Sequence, residues 1–278
     1  MTKILVQPIN KKHIKYLNNT SIDGYIIGLK NYSIFQSLKL SIKDINKLNI
    51  NNKKLYISIN KPIYNNEIDD TKKQLIEISK LNITGVLFED ISIYNINKNM
   101  NLKLNLIWNQ MHLPTNSLSC SYWNNKGIKG ALLSTELMVD DFIKIKKDTN
   151  MIIMVYLYGY IPMFESSRTL LTNYFKYIKR FKLNKLYYLY EKVTNKYYKI
   201  YEEYNNTYIL GDILNGINYL DKIKSNNIDY IVLNGVFIKE KEFNRVLNDY
   251  INNKKDDNVY TGFLNKESIF KVKKDGKK

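Results

Sequence analysis

Cysteine is almost missing from this chain: Cys120 is the single one in 278 residues. That excludes an internal disulfide framework, and it excludes an iron–sulfur cluster held by this chain alone, which takes four thiolates. Histidine is nearly as scarce. His13 and His112 stand without HExxH spacing, which removes the zinc-hydrolase class. The eleven glycines include no GxG pair, so neither a phosphate loop nor a dinucleotide fingerprint is present. No apolar run approaches the ~20 residues that cross a bilayer, and MTKILVQPIN lacks the pattern of an export leader. With cysteine this rare, the expected setting is reducing and cytoplasmic.

What the chain has in excess is positive charge, +17 with a pI near 9.5. Such a balance fits a polyanionic partner such as RNA. It also fits codon drift in an AT-rich genome, because Lys, Asn, Ile and Tyr are all abundant and the lysines are spread along the chain. Charge alone leaves both readings open.

Periodicity gives the architecture. Lys3–Gln7, 23–29, LYISIN ending at Asn60, Gly85–Phe88, 104–108, 130–133, 152–158 and 230–233 read as strands, most of them short and apolar enough to be buried on both faces. Helical stripes alternate with them: Ile68, Leu75, Ile78 and Leu81; Tyr122 and Trp123 before Gly127; Met138, Phe142 and Ile145; Leu171, Tyr174, Phe175 and Ile178; Ile213, Ile217 and Leu220; and Phe243, Val246, Leu247, Tyr250 and Ile251. Gly159 is expected to break the seventh strand, and Ser166 or Ser167 to cap a helix starting near Arg168. Residues 185–210 change to short tyrosine-rich runs, the pattern of an antiparallel insertion. These tyrosines could stack bases, but alternating tyrosines on strands more often pack across strands.

Eight strand–helix units predict an α/β fold, a (β/α)8 TIM-like barrel with a small antiparallel β insertion after strand seven. The expected domain is 1–253, including the 185–210 insertion, with a 254–278 tail packing on the barrel, a possible strand at 269–272 and a mobile basic end.

In such a barrel the chemistry sits at the carboxyl ends of the strands, which nominates Asn60, Glu89, Asp90, Asn109, Ser134, Glu136, Glu165, Arg168 and Asn234. A carboxylate beside an arginine there can bind an anion or hold a proton donor, and it can equally be a structural ion pair. Cys120, in SCSYW, reads as a small buried thiol and not as a nucleophile. Neither Ser166 nor Ser167 has a histidine placed to serve as its base.

The segments DGYIIGLKNYS, LYISIN, GVLFED, TNSLSCSYWNNKGIKGALLSTEL, YGYIPMFESSRTLLTNYF, DYIVLNG and TGFLNKESIFKVKKD, in that order, resemble peptidase family U32, the collagenase-like family. The 159–174 motif and the 134–137 segment carry the resemblance best. It is closest to the short, cysteine-poor members of Firmicutes linked to prephenate-dependent hydroxylation of the tRNA wobble uridine to 5-hydroxyuridine. Other branches act in rRNA cytidine hydroxylation and in oxygen-independent ubiquinone synthesis.

The resemblance implies a barrel and a place in a tRNA hydroxylation system. Glu136, Arg168 and Asp90 would be catalytic, and Asn60, Ser134, Gly159, Met163, Ser167 and Asn234 would bind substrate. It also implies tRNA and a longer, cysteine-bearing paralogue as partners, prephenate as a possible co-substrate, and any iron–sulfur cluster supplied by that paralogue. LNGVF departs from the pattern by placing Asn234 where many relatives have an acid. The alternatives are a non-catalytic scaffold subunit and, third, a collagenase-like peptidase.

Overall fold

Apolar runs of three to six residues are too short for stable helices, and here they become strands with both faces covered. The computed structural model describes residues 1–265. Its first half runs β1 (Lys3–Gln7), α1 (Lys11–Leu17), β2 (Gly24–Leu29), β3 (Lys39–Leu40), α2 (Ile42–Asn46), β4 (Lys54–Ile59), α3 (Ile68–Ser79), β5 (Gly85–Phe88) and α4 (Ile91–Asn99). The chain continues through β6 (Leu106–Trp108), α5 (Ser117–Asn125), β7 (Gly130–Leu132), α6 (Val139–Asp148), β8 (Ile152–Ser166) and α7 (Leu170–Tyr177). Three antiparallel strands follow, β9 (Leu186–Glu191), β10 (Lys196–Glu203) and β11 (Asn206–Asn215), then α8 (Leu220–Ser225), β12 (Tyr230–Asn234) and α9 (Glu240–Ile251).

Strands β1, β2, β4, β5, β6, β7, β8 and β12 pair in that order, all parallel, and β12 returns to β1. The ring is closed, so the α/β barrel expected from the strand–helix rhythm is the fold. Every residue of β2 and of β12 is buried, as a barrel wall between a packed interior and a helical jacket requires. The helices cover the outside with their apolar stripes. In α9 these are Phe243, Val246, Leu247 and Tyr250. Local chemistry sets several helix starts: Asn10, Ser41, Asp90 and Asn116 each accept a backbone N–H of the first turn. No helix among the described residues is long and apolar enough to cross a membrane.

The structure departs from expectation around β8. Gly159 does not end the strand. Ile152–Tyr158 lie in the ring against β12, and the same strand runs on to Ser166, paired antiparallel with β11. Gly159, with φ +131°, is the swivel between the two pairings, since a Cβ there would sit 2.8 Å from the Asn234 carbonyl oxygen and against the Tyr156 hydroxyl. Pro162, which has no N–H to donate, falls beside the β-bulge in β11.

The helix start is also elsewhere. Ser166 ends the strand, and α7 begins at Leu170 with Thr169 as its unbonded cap residue. Its free amides are met from outside the helix: Leu170 N–H by Thr207 Oγ1 at 3.0 Å and Thr172 N–H by Glu202 Oε2 at 3.0 Å. Ile213, expected on a helix, lies in β11, because that strand is held by β8 as far as Asn215. The insertion therefore extends past residue 210, and β8, α7 and β9–β11 make an arm that rises from the ring.

A small apolar cluster of Ile34, Tyr201, Tyr208 and Leu210 seats the arm's base on the loop between β2 and β3. Beyond α9, Leu264 is buried, and its carbonyl accepts from Val139 N–H at 3.1 Å. The strand expected at 269–272 and the basic end lie outside the described residues.

Candidate functional site

The carboxyl ends of the ring strands converge on a cavity of about 70 Å³, room for several waters. Its lining takes Gln7 from the end of β1, Asn60 after β4, Glu89 after β5, Asn109 after β6, Leu132 from β7, Tyr156 from β8 and Asn234 from β12. The β2–β3 loop adds Ile34, Phe35 and Gln36, and the arm adds Pro162 and Tyr208. Met111, His112, Leu133 and Thr135 complete the rim.

The charge pattern is unusual for so basic a protein. The lining has five amide side chains, Gln7, Gln36, Asn60, Asn109 and Asn234, but no lysine or arginine. Its one carboxyl, Glu89, is half-buried, and its pKa is pushed up to about 8, first by burial and then by the neighbouring carboxylates of Glu165 and Asp90. Glu89 is thus mostly protonated at neutral pH and can donate a hydrogen bond. Burial and the nearby Glu165 carboxylate also drive the Tyr208 phenol well above its ordinary range, so it too is a neutral donor, spent on Glu165 Oε1 at 2.9 Å.

Some lining groups are already committed. Asn60 clamps the backbone of Ile34, accepting its N–H at 3.2 Å and donating to its carbonyl at 3.2 Å, so this residue shapes the wall. Asn234 is buried, and its Oδ1 accepts the Val236 N–H at 2.8 Å. The Tyr156 hydroxyl donates to the Tyr160 carbonyl at 3.1 Å. Gln7 is different. It is 6% exposed, and its Oε1 is buried with no hydrogen-bond partner among the described residues. A buried amide oxygen without a partner costs free energy unless something in the cavity supplies a donor.

The other residues nominated from the sequence are dispersed. Asp90 caps α4, its two oxygens taken by Ser92 N–H at 2.8 Å and Ile63 N–H at 2.9 Å. Glu136 is exposed and reaches the cavity only through His112, whose Nδ1 lies 3.1 Å from its Oε1. Ser134 is buried, with Oγ accepting the Glu136 N–H at 3.2 Å. Arg168, Ser167 and Met163 are exposed on the arm and none of them lines the cavity; the Arg168 carbonyl accepts from Thr207 Oγ1 at 2.6 Å. Gly159 lies just outside, where it lets β8 pass Tyr156 and Asn234.

Gln7, Tyr156 and Tyr208 line the cavity without being among the residues that the sequence nominates. Gln7 ends a strand that had been recognised, so the same carboxyl-end rule reaches it; Tyr208 needs the arm's fold.

Cys120 is buried in α5 with its thiol pKa raised by burial to about 11, and no group of three or more His, Cys, Asp or Glu suits a metal among the described residues.

The sequence profile described as Peptidase family U32 matches residues 10–270. This chain belongs to peptidase family U32. It is 26% identical over 247 residues to the tRNA hydroxylation protein P2 of Bacillus subtilis (strain 168), covering 84% of this chain and 79% of that protein. Among solved structures, a glycoside hydrolase family 18 N-acetylglucosaminidase from Paenibacillus barengoltzii overlays with a TM-score of 0.45 at 8% identity, over 91% of this chain and all of that one. The chitinase ChiW of Paenibacillus sp. str. FPU-7 overlays with a TM-score of 0.38 at 8% identity, over 91% of this chain and 32% of that one.

Proposed function

We propose that this U32 protein works in hydroxylation of the tRNA wobble uridine to 5-hydroxyuridine, in the cytoplasm, as one subunit beside a longer cysteine-bearing paralogue. The observation that carries the reading is its alignment, over most of both chains, with a protein named for tRNA hydroxylation. The barrel mouth supports it chemically. A uracil ring is neutral and presents an imide N–H between two carbonyls, and the cavity offers amides, a protonated Glu89 and the unpartnered Gln7 oxygen, with no cation to favour an anion. Prephenate carries two carboxylates, so in this reading it meets its cations outside this lining, at the rim or on the paralogue. Any iron–sulfur cluster is likewise assigned to the paralogue.

The second reading, a scaffold subunit without chemistry of its own, draws on the buried Cys120 and on Asn234 where many relatives carry an acid. One experiment separates the two. The gene is deleted, complemented with wild type, Gln7→Leu or Glu89→Gln, and 5-hydroxyuridine-derived nucleosides are measured by tRNA mass spectrometry. Deletion abolishes them and neither variant restores them, although both accumulate as folded protein. Unchanged modification after deletion overturns the assignment, and full restoration by both variants makes the chain a scaffold.

A further inference from the structure

The arm carries a feature that the cavity does not explain. In its antiparallel sheet Tyr190 lies opposite Tyr197 and Tyr188 opposite Lys199, so these four side chains share one face. The next positions on that face are Leu186 and Tyr201, and Tyr201 in turn pairs with Tyr208, a residue of the cavity wall. The opposite face is occupied: Phe175 of α7 lies 4.9 Å from Tyr187, and Thr172 bonds Glu202. The base of that face is therefore covered by the arm's own helix, and the tyrosine face leads from the arm's tip to the mouth of the barrel.

Along that open face the rings form a graded series. At the tip, the Tyr190 and Tyr197 rings are 4.9 Å apart, yet the residues remain 48% and 70% exposed. Next comes Lys199, its Nζ 5.6 Å from the Tyr188 ring and 4.3 Å from the Tyr160 ring, with Tyr188 still 59% exposed. At the base, Tyr201 and Tyr208 stack at 5.0 Å and are buried. Cross-strand packing accounts for the buried pair. It does not account for three tyrosines that pair along the sheet and keep about half or more of their surface in water.

The surrounding charge selects the partner. Between residues 170 and 200 there are eight lysines or arginines against the single acid Glu191. Of those eight, only Lys182 and Lys196 have an ion-pair partner among the described residues. Lys199 stands among the rings, and the other cations lie on α7, in the loop after it, at the β9–β10 turn and on the other side of β10. Exposed aromatic faces with such positive charge around them are what an unpaired nucleic-acid strand requires: rings for its bases and positive charge for its phosphates. A duplex hides its base faces and gains nothing from the rings.

We propose that the Tyr188, Tyr190, Tyr197 and Lys199 face of the arm binds an unpaired segment of RNA and delivers an adjoining nucleotide to the barrel mouth. The inference deepens the tRNA reading by naming the surface and the state of RNA it takes, and it rests on that reading only for the identity of the RNA.

The test uses the full chain and two labelled RNAs of equal length, a hairpin with a seven-nucleotide loop and a fully paired one with a minimal turn, followed by fluorescence anisotropy at fixed salt. Tyr188→Ala with Tyr197→Ala weakens binding of the looped RNA at least ~10-fold, as the loss of one or two base stacks implies. The matching pair of Tyr→Phe changes keeps affinity within about twofold, and the paired RNA binds weakly to all three proteins. Unfolding midpoints within ~2 °C of wild type establish that the Ala variant is folded. Equal binding of wild type and Ala variant overturns the proposal. So does loss of a copurifying protein chain with RNA affinity unchanged, which would make the face a protein interface. The two readings fail separately: the arm can bind looped RNA as stated while gene deletion leaves the wobble modification intact, or the modification can depend on the gene while the arm variants bind RNA like wild type.

Discussion

The hydroxyl of Tyr208 donates to Oε1 of Glu165 at 2.9 Å and ties β11 to the outer half of β8 above the cavity. Glu89 lies near this Glu165 carboxylate, and burial together with Glu165 and Asp90 pushes its pKa up to about 8, so it holds a proton at neutral pH.

Stability should report that proton. The folded-state pKa of Glu89 is near 8 against an ordinary 4.5, so the folded chain holds the proton more tightly than the unfolded one. The contribution is complete below about pH 4.5 and is lost as the pH rises through about 8. Glu89→Gln mimics the protonated form and removes the loss. Its thermal midpoint matches wild type at pH 5 and exceeds it at pH 9 by roughly 2–4 °C, which is ~1 kcal/mol in a domain of this size. Parallel curves for the two proteins across that range would refute the assignment.

Gly159→Ala strains the swivel. Alanine is disfavoured at φ +131°, and its methyl would press on the Asn234 carbonyl and the Tyr156 hydroxyl. The expected cost is about 1–3 kcal/mol in denaturant unfolding. A variant as stable as wild type would mean that the backbone turns elsewhere.

Glu202→Ala uncaps the arm's helix from a distance of thirty residues. It deprives Thr172 N–H and Lys182 of a buried acceptor, at a cost of about 1–3 kcal/mol. Hydrogen exchange should quicken across residues 170–177 and stay unchanged in β2. Unaltered protection of α7 would show that its amides are satisfied by another group.

Much of this was legible in the residues themselves. The short apolar strands and the α9 stripe follow local rules, and the barrel follows from their alternation. Asn60, Glu89, Asn109 and Asn234 were reachable as strand ends, and all four line the cavity. Non-local pairing was not legible. Gly159 looked like a terminator because nothing near it in sequence shows that β11, fifty residues on, would hold the strand extended. The caps of α7 come from Glu202 and Thr207, also distant in the chain, so the nearby serines were the wrong candidates. Asp90 and Glu89 are adjacent acids, and only the fold tells the helix cap from the cavity carboxyl.

The arm leaves the ring after Tyr158 and returns at Asn215, positions that face each other across one pairing of β8 and β11. Its two stems are therefore a single strand spacing apart, about 5 Å, while ring closure rests on β12, which pairs with both β8 and β1. It is a graft in the mechanical sense, a module whose length and surface can change without reopening the wall it grows from.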